Sequence, residues 1–152
     1  MQGIVLSIIW LLFIPEVLAL APVADFQKKE QFEGAQNYHH AKDNVDLTVL
    51  QTEIKYSDLS PENIRELDEL IEGKKEYGKV FGFKEWQVKE KKTLGDKTER
   101  TLLLSGHYKN LSQKTVHFLE VYWANKNSSG QFLLTSEVRE ISVGSYKKYL
   151  AP

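Results

Sequence analysis

The chain has 152 residues, with 20 Lys+Arg against 21 Asp+Glu, 41% apolar and 11% aromatic residues, and no cysteine. That length suits one domain, and the apolar content suits a packed core better than a disordered chain. The near balance of charge leaves no broad footprint for a nucleic acid, and the lack of cysteine excludes disulfides, thiolate metal sites and cysteine nucleophiles.

Residues 1–24, MQGIVLSIIWLLFIPEVLALAPVA, carry no charge before Glu16. The apolar run from Gly3 to Ile14 is shorter than the roughly 20 residues of a spanning helix. Pro15 and then small residues follow it, as in a secretory signal peptide. We read residues 1–21 as that signal, cut at Ala19-Leu20-Ala21. Cuts after Ala19 or Ala24, and an uncleaved anchor, stay open. With the signal removed, no stable membrane span is expected. An exported chain without cysteine fits a bacterial envelope, so a periplasmic or secreted location is expected. Two Asn-x-Ser triplets, Asn110-Leu111-Ser112 and Asn127-Ser128-Ser129, fall where turns are expected, and turns are the preferred reading.

In residues 22–44, Phe32, Ala35, Tyr38 and Ala41 recur at helix-like intervals, but Gly34 interrupts them. This stretch reads as a polar linker or a weak helix. Val45–Tyr56 alternates at Val45, Leu47 and Val49, yet Leu50 and Ile54 are spaced as in a helix. Its β-branched residues favour strand, with helix left open. Ser60–Glu72 has the marks of an amphipathic helix: Ser60 as N-cap, Pro61 at the first position, and a Leu59–Ile64 staple. Ile64, Leu67, Leu70 and Ile71 form its apolar stripe, and Gly73 is placed to end it. From Lys79 onward the pattern predicts four strands: 79–91, 100–108, 115–124 and 132–143. A change of phase in the first implies a bulge near Lys84. Turn-rich links make the four antiparallel neighbours. The lysines of KEKKTLGDKTER, at a hairpin tip, read as guards of an exposed strand. Residues 144–152 read as a loose tail. The expected fold is α+β: a curved four- to five-stranded antiparallel sheet packed on one main helix, with an optional extra N-terminal helix. Its domain spans residues 45–143.

The run SPENIRELDELIEGKKEYGKVFGFKEWQV, followed by GHYKN, HFLEVYW and a last strand led by Gly130, resembles the cystatin-like and nuclear-transport-factor-two-like group. That group includes exported bacterial domains of unknown function. The resemblance implies a sheet cupping a helix or a small cavity, and it implies no activity. The Gln-x-Val-x-Gly loop of protease-inhibiting cystatins is absent; ISVGS keeps only Val143-Gly144, at the wrong place in the order.

Along the third strand Val116, Phe118, Glu120 and Tyr122 point one way, and His117, Leu119, Val121 and Trp123 the other. A carboxylate enclosed between Phe118 and Tyr122 would have its pKa raised by desolvation, which suits a general base. Tyr122 or Tyr108 could then stabilise an oxyanion, as in an isomerase or dehydratase. The plainer reading pairs Glu120 with a lysine. His107 and His117 lie opposite each other if the loop between their strands has an odd number of residues, and could then share a zinc ion with His39 or His40 as a distant third ligand. No His-x-x-x-His or carboxylate-rich set supports this, so no metal and no cofactor is expected. A Gly-x-Ser-x-Gly elbow and a Gly-rich phosphate loop are also missing from the sequence. The expected function is an exported, non-enzymatic domain that binds a protein partner or a small apolar ligand. Trp86, Phe118, Glu120, Tyr122 and Trp123 are its candidate contacts, on an uncovered sheet face that homodimerisation would also cover. The alternative is a small pocket enzyme with Glu120 as general base.

Overall fold

The computed structural model of the chain describes residues 20–29, 35–50, 54–60 and 64–152. The predicted signal up to Ala19 lies outside these residues, as does Pro61, and the side chains of Ile64, Leu67 and Leu70 are outside the description too. In chain order the elements are β1 (Ala21–Pro22), β2 (Gln27–Lys28), β3 (Ala35–His40), β4 (Val45–Leu50), α1 (Ile64–Val80), β5 (Lys84–Gly95) and β6 (Glu99–Lys109). They continue with β7 (Thr115–Asn125), β8 (Ser129–Ser136), a 3-10 turn at Val143–Ser145, α2 (Tyr146–Tyr149) and β9 (Leu150–Ala151).

The architecture is mostly β, which overturns the expected four- to five-stranded sheet on one main helix. Seven strands form one antiparallel sheet in the order β2-β3-β4-β8-β7-β6-β5, and β1 pairs with β9 in a separate small ribbon. Two extra strands come from the stretch read as a linker or weak helix. There β3 pairs with β4 from Ala35↔Leu50 to His40↔Val45, and β2 adds beyond it. Val45 and Leu47 are fully buried while Asp46 is exposed, the alternation of a strand with one covered face. Polar links hold β3 in register: Thr48 Oγ1 donates to Asn37 Oδ1 at 2.9 Å, and His39 Nδ1 lies 2.8 Å from Asp46 Oδ1. Hydrophobic period alone does not reveal such a strand.

The helix also differs from expectation, running through Gly73 to Val80. A glycine inside a helix costs only about 1 kcal/mol, so it need not stop one. The stop comes at Gly82, whose φ of 76° is open to glycine and costly for other residues. Phe83 N–H donates to Gly78 O at 2.9 Å and Gly82 N–H to Lys79 O at 3.0 Å, the paired bonds of a Schellman cap. The strand therefore starts at Lys84, not Lys79. Glu85 has φ 53°, and the β5–β6 register breaks between Lys84 and Gln87 and again between Val88 and Glu90. These breaks lie where the sequence phase changes. The last strand ends at Ser136 rather than Val143. Asn110 Oδ1 accepts from Ser112 N and Lys114 N, and Asn125 Oδ1 from Asn127 N and Ser128 N, so both Asn-x-Ser triplets sit in turns built by asparagine side chains.

Each face of the sheet carries a buried cluster. On one face Leu103, Leu119, Val121, Trp123, Phe132 and Leu134 pack with Phe26 from the N-terminal side and Ile141, Tyr149 and Leu150 from the C-terminal side. Residues 144–152 are thus docked, not loose: Tyr149 and Leu150 are buried, and β9 pairs Ala151 with Ala21. Asp43 locks this end. Its carboxylate meets Lys148 Nζ at 2.5 Å and Arg139 Nη1 at 3.2 Å, and accepts from Tyr149 OH at 3.0 Å. On the other face Leu102, Leu104, Tyr122 and Ala124 pack with Leu59, Ile54, Tyr56 and Ile71. Here α1 lies along the β5 side.

Candidate functional site

The sequence candidates divide between the two faces. Trp123 is on the face that the chain ends cover, 2% exposed. It is therefore core, and the uncovered adhesive face expected around Trp86 and Trp123 is not there. Trp86 and Phe118 come together on the helix side, stacked at 5.3 Å between ring centres and 10° between planes.

Glu120 and Tyr122, two apart on β7, point to the helix side as expected. Tyr122 OH donates to Glu120 Oε2 at 2.6 Å, and the same oxygen faces Lys74 Nζ at 2.6 Å. Lys74 comes from α1 and also stands 5.4 Å from the centre of the Tyr122 ring. Burial pushes the Tyr122 hydroxyl far above its usual range, and the Glu120 charge adds to this. The Tyr122 proton is therefore committed to Glu120. An oxyanion at that place would have to compete with a buried, charge-assisted bond. Tyr108 stacks on Phe83 instead, at 4.5 Å, and its hydroxyl is raised by burial and then by Glu137 and Glu120. The structure thus brings together Glu120 and Tyr122 but joins them to a lysine, the plainer of the two readings.

From Phe118 an aromatic chain runs outward. Phe118 and Tyr108 lie 6.2 Å apart, Phe83 stacks on Tyr108, Phe81 is 6.4 Å from Phe83, and Tyr77 is 4.7 Å from Phe81. Its outer end is exposed: Tyr77 65%, Phe81 50%, with Val80 at 81% and Leu111 at 74%. Leu111 leans on Gly82, where a Cβ would stand 2.5 Å from Leu111 Cδ2. A groove of about 400 Å³ is lined by Lys75, Lys79, Phe83, Lys84, Glu85, Trp86 and Gln87, and Phe83 links it to Phe81. It lies where the Schellman cap gives way to the β5 bulge, with Phe83 and Trp86 both in its lining. Lys79 is paired with Glu76 and Glu85 with Lys109, which leaves Lys75 and Lys84 without an ion pair among the described residues. Sequence reasoning missed Tyr77, Phe81, Phe83 and the lysines, since their meeting depends on the true end of α1. A second open groove, also about 400 Å³, lies between Ile54–Ser57 and Asn125–Ser129.

His107 and His117 are directly opposite in the β6–β7 register, since the pair Lys109↔Thr115 encloses a loop with an odd number of residues. Their ring centres are 6.3 Å apart. Both Nδ1 atoms are buried without a hydrogen-bond partner, a state that costs about 1–3 kcal/mol per group. His39 pairs with Asp46, and His40 packs edge-on to Phe26 and Tyr149, so both are engaged elsewhere. Among the described residues no group of three or more His, Asp or Glu stands ready as a metal cage, and no helix is long and apolar enough to cross a membrane. No family model, curated protein or solved structure matches the chain.

Proposed function

We propose that the protein is an exported, non-enzymatic binding domain whose contact surface is the groove between the end of α1 and the start of β5. Its ligand is a small amphiphile, an apolar body that carries an anionic group. The observation that carries this reading is the groove itself, whose Phe83 lies 6.4 Å from the exposed Phe81. Contiguous exposed apolar groups on a folded surface mark a contact site. The groove volume suits a small molecule. Lys75 and Lys84, in its lining, supply positive charge that no ion pair among the described residues holds. Export rests on the sequence of residues 1–24 alone.

The test is a titration of the full chain with dodecanoate, followed by tryptophan fluorescence, with dodecyltrimethylammonium as the cationic control. Saturable binding of the anion is expected, weakened about tenfold by Phe81→Ser or by Lys84→Glu. Absence of saturation, or equal binding of the two headgroups, refutes the assignment. The enzyme alternative draws support from the short Tyr122–Glu120 bond. It requires the Lys74 pair to open before Glu120 could take a proton, which makes it the second reading.

A further inference from the structure

Among the described residues the exposed large apolar side chains are Tyr77, Val80, Phe81, Leu111 and Val138, and all belong to one end of the molecule. Tyr77 and Val80 are in the last turn of α1, and Phe81 follows it. The β5–β6 register begins at Lys84↔Lys109, so the end of α1 meets the β6–β7 loop that carries Leu111. Val138 comes just after β8, whose Ser136 pairs with His117 near the same loop. The opposite end, with its turns at 96–98 and 126–128, exposes none. Scattered exposed apolar residues need no explanation, but a set gathered at one tip marks a contact. Leu111 is also held out by a built turn. Asn110 Oδ1 accepts from Ser112 N and Lys114 N, and Asn110 Nδ2 donates to Glu137 Oε1 at 3.2 Å. Leu111 Cδ2 then fills the space that a side chain at Gly82 would take, next to Phe81.

Charge says what this end meets. The same segments carry Lys75, Lys79, Lys84, Lys109 and Lys114. Glu76 holds Lys79, Glu85 holds Lys109 and Glu137 holds Lys114. Lys75 and Lys84 stand outside any ion pair among the described residues, so this end is positive in a chain whose overall charge is −1. We infer that it docks on the surface of an anionic lipid bilayer, with Tyr77, Phe81 and Leu111 entering the headgroup layer and the lysines meeting lipid phosphates. Tyrosine is enriched at that depth of a membrane. Lysine stems lie along apolar surface while their ammonium groups reach out to charge, and each lysine near an anionic leaflet adds attraction. A second copy of the chain fits less well, because a two-fold contact sets the same positive patch against itself. A protein partner ordinarily covers roughly 20–30 residues on each side, whereas a few protruding side chains suit shallow insertion. The amphiphile groove adjoins the patch through Phe83 and Phe81, but docking does not depend on it.

The chain has no cysteine, so Leu111→Cys and Asn127→Cys each give a single attachment point for an environment-sensitive fluorophore. The labelled full chains are titrated with phosphatidylglycerol vesicles and, as the neutral control, with phosphatidylcholine vesicles. The label at 111 should brighten and shift to the blue with the anionic vesicles only. The label at 127, beyond the other end of β7, should stay as in water. Because the reporter sits on the loop itself, membrane contact through residues 1–24 alone does not produce this pattern. Adding Lys84→Ser to the chain labelled at 111 should raise the vesicle midpoint about fivefold, and adding Phe81→Ser about tenfold. Leu111→Ser, outside the groove lining, should leave dodecanoate affinity in place, so the groove and the docking surface fail separately. If Phe81→Ser does not fold, the two labelled chains decide alone. A silent label at 111, equal responses at 111 and 127, equal responses to the two lipids, or a blue shift that grows with protein concentration without lipid overturns the inference.

Discussion

Replacing Lys74 by Met asks whether Glu120 is one half of a structural ion pair or a base held ready for a substrate. The ammonium stands 2.6 Å from Oε2, with the two side chains 22% and 11% exposed. At an effective dielectric of about 20, unit charges at that separation attract by roughly 6 kcal/mol. Desolvation of the two ions offsets most of this, so the pair itself adds little net stability. Removing one partner is different, because the other charge then stays buried. The cost is about 3–5 kcal/mol in a fully enclosed site. With part of this site open to water and Tyr122 still donating to Glu120, Lys74→Met should cost about 2 kcal/mol. Glu120→Gln should cost about 1–2 kcal/mol, since the Lys74 head can turn to solvent. The double variant should cost less than the sum, with a coupling of about 1–2 kcal/mol. Urea unfolding at pH 7 measures all four corners of the cycle. Dodecanoate affinity should be unchanged in Glu120→Gln. A coupling below about 0.5 kcal/mol, or lost ligand affinity in a folded Glu120→Gln, would refute the structural reading of the pair.

At Gly106 a Cβ would stand 1.8 Å from the backbone oxygen of Gln87, an obstacle that no rotamer relieves. Gly106→Ala should therefore open the bulged β5 register at a cost of about 3 kcal/mol, and an unchanged midpoint of thermal unfolding would contradict this. Trp123→Ala should cost about 3–5 kcal/mol in urea unfolding and leave the oligomer size in light scattering as it was; a change of size without loss of stability would place this ring at an interface after all. The Asp43 carboxyl is held down from 3.8 to about 2 by the hydrogen bond from Lys148, then by Tyr149 and Arg139. A group depressed in this way contributes its stability above pH 3.8 and loses it as pH falls towards about 2. Asp43→Asn should therefore remove that part of the acid limb of the stability profile, and superimposable limbs for the two proteins would refute it.

The parts of the molecule that could be read in advance are those in which neighbours in space are neighbours in sequence. The β6–β7 hairpin is the clearest. Alternation separated Glu120 and Tyr122 from Leu119, Val121 and Trp123; the facing of His107 and His117 stayed conditional on the loop's parity until the register fixed five residues. What escaped was decided by partners far along the chain. β3 has few β-branched residues and takes its strand form from pairing with β4. The face of Trp123 looked uncovered because Phe26 and Tyr149 come from segments whose polar composition hides single docking residues. Trp123, expected on an open face, is core for that reason. Once the chain ends close the Trp123 face, the exposed aromatics that need an explanation are the ones that Gly82 and the β5 bulge bring together. Both are local backbone events: a positive φ at Gly82 and another at Glu85. Gly82 and Gly73 look alike as letters, and only the two bonds to Gly78 and Lys79 tell which one ends the helix. The location of the groove thus depends on a choice between two glycines. A chain in which Gly82→Ala strains the cap should lose dodecanoate binding before it loses its sheet, whereas Gly73→Ala, inside α1 with open space around its Cβ, should keep both.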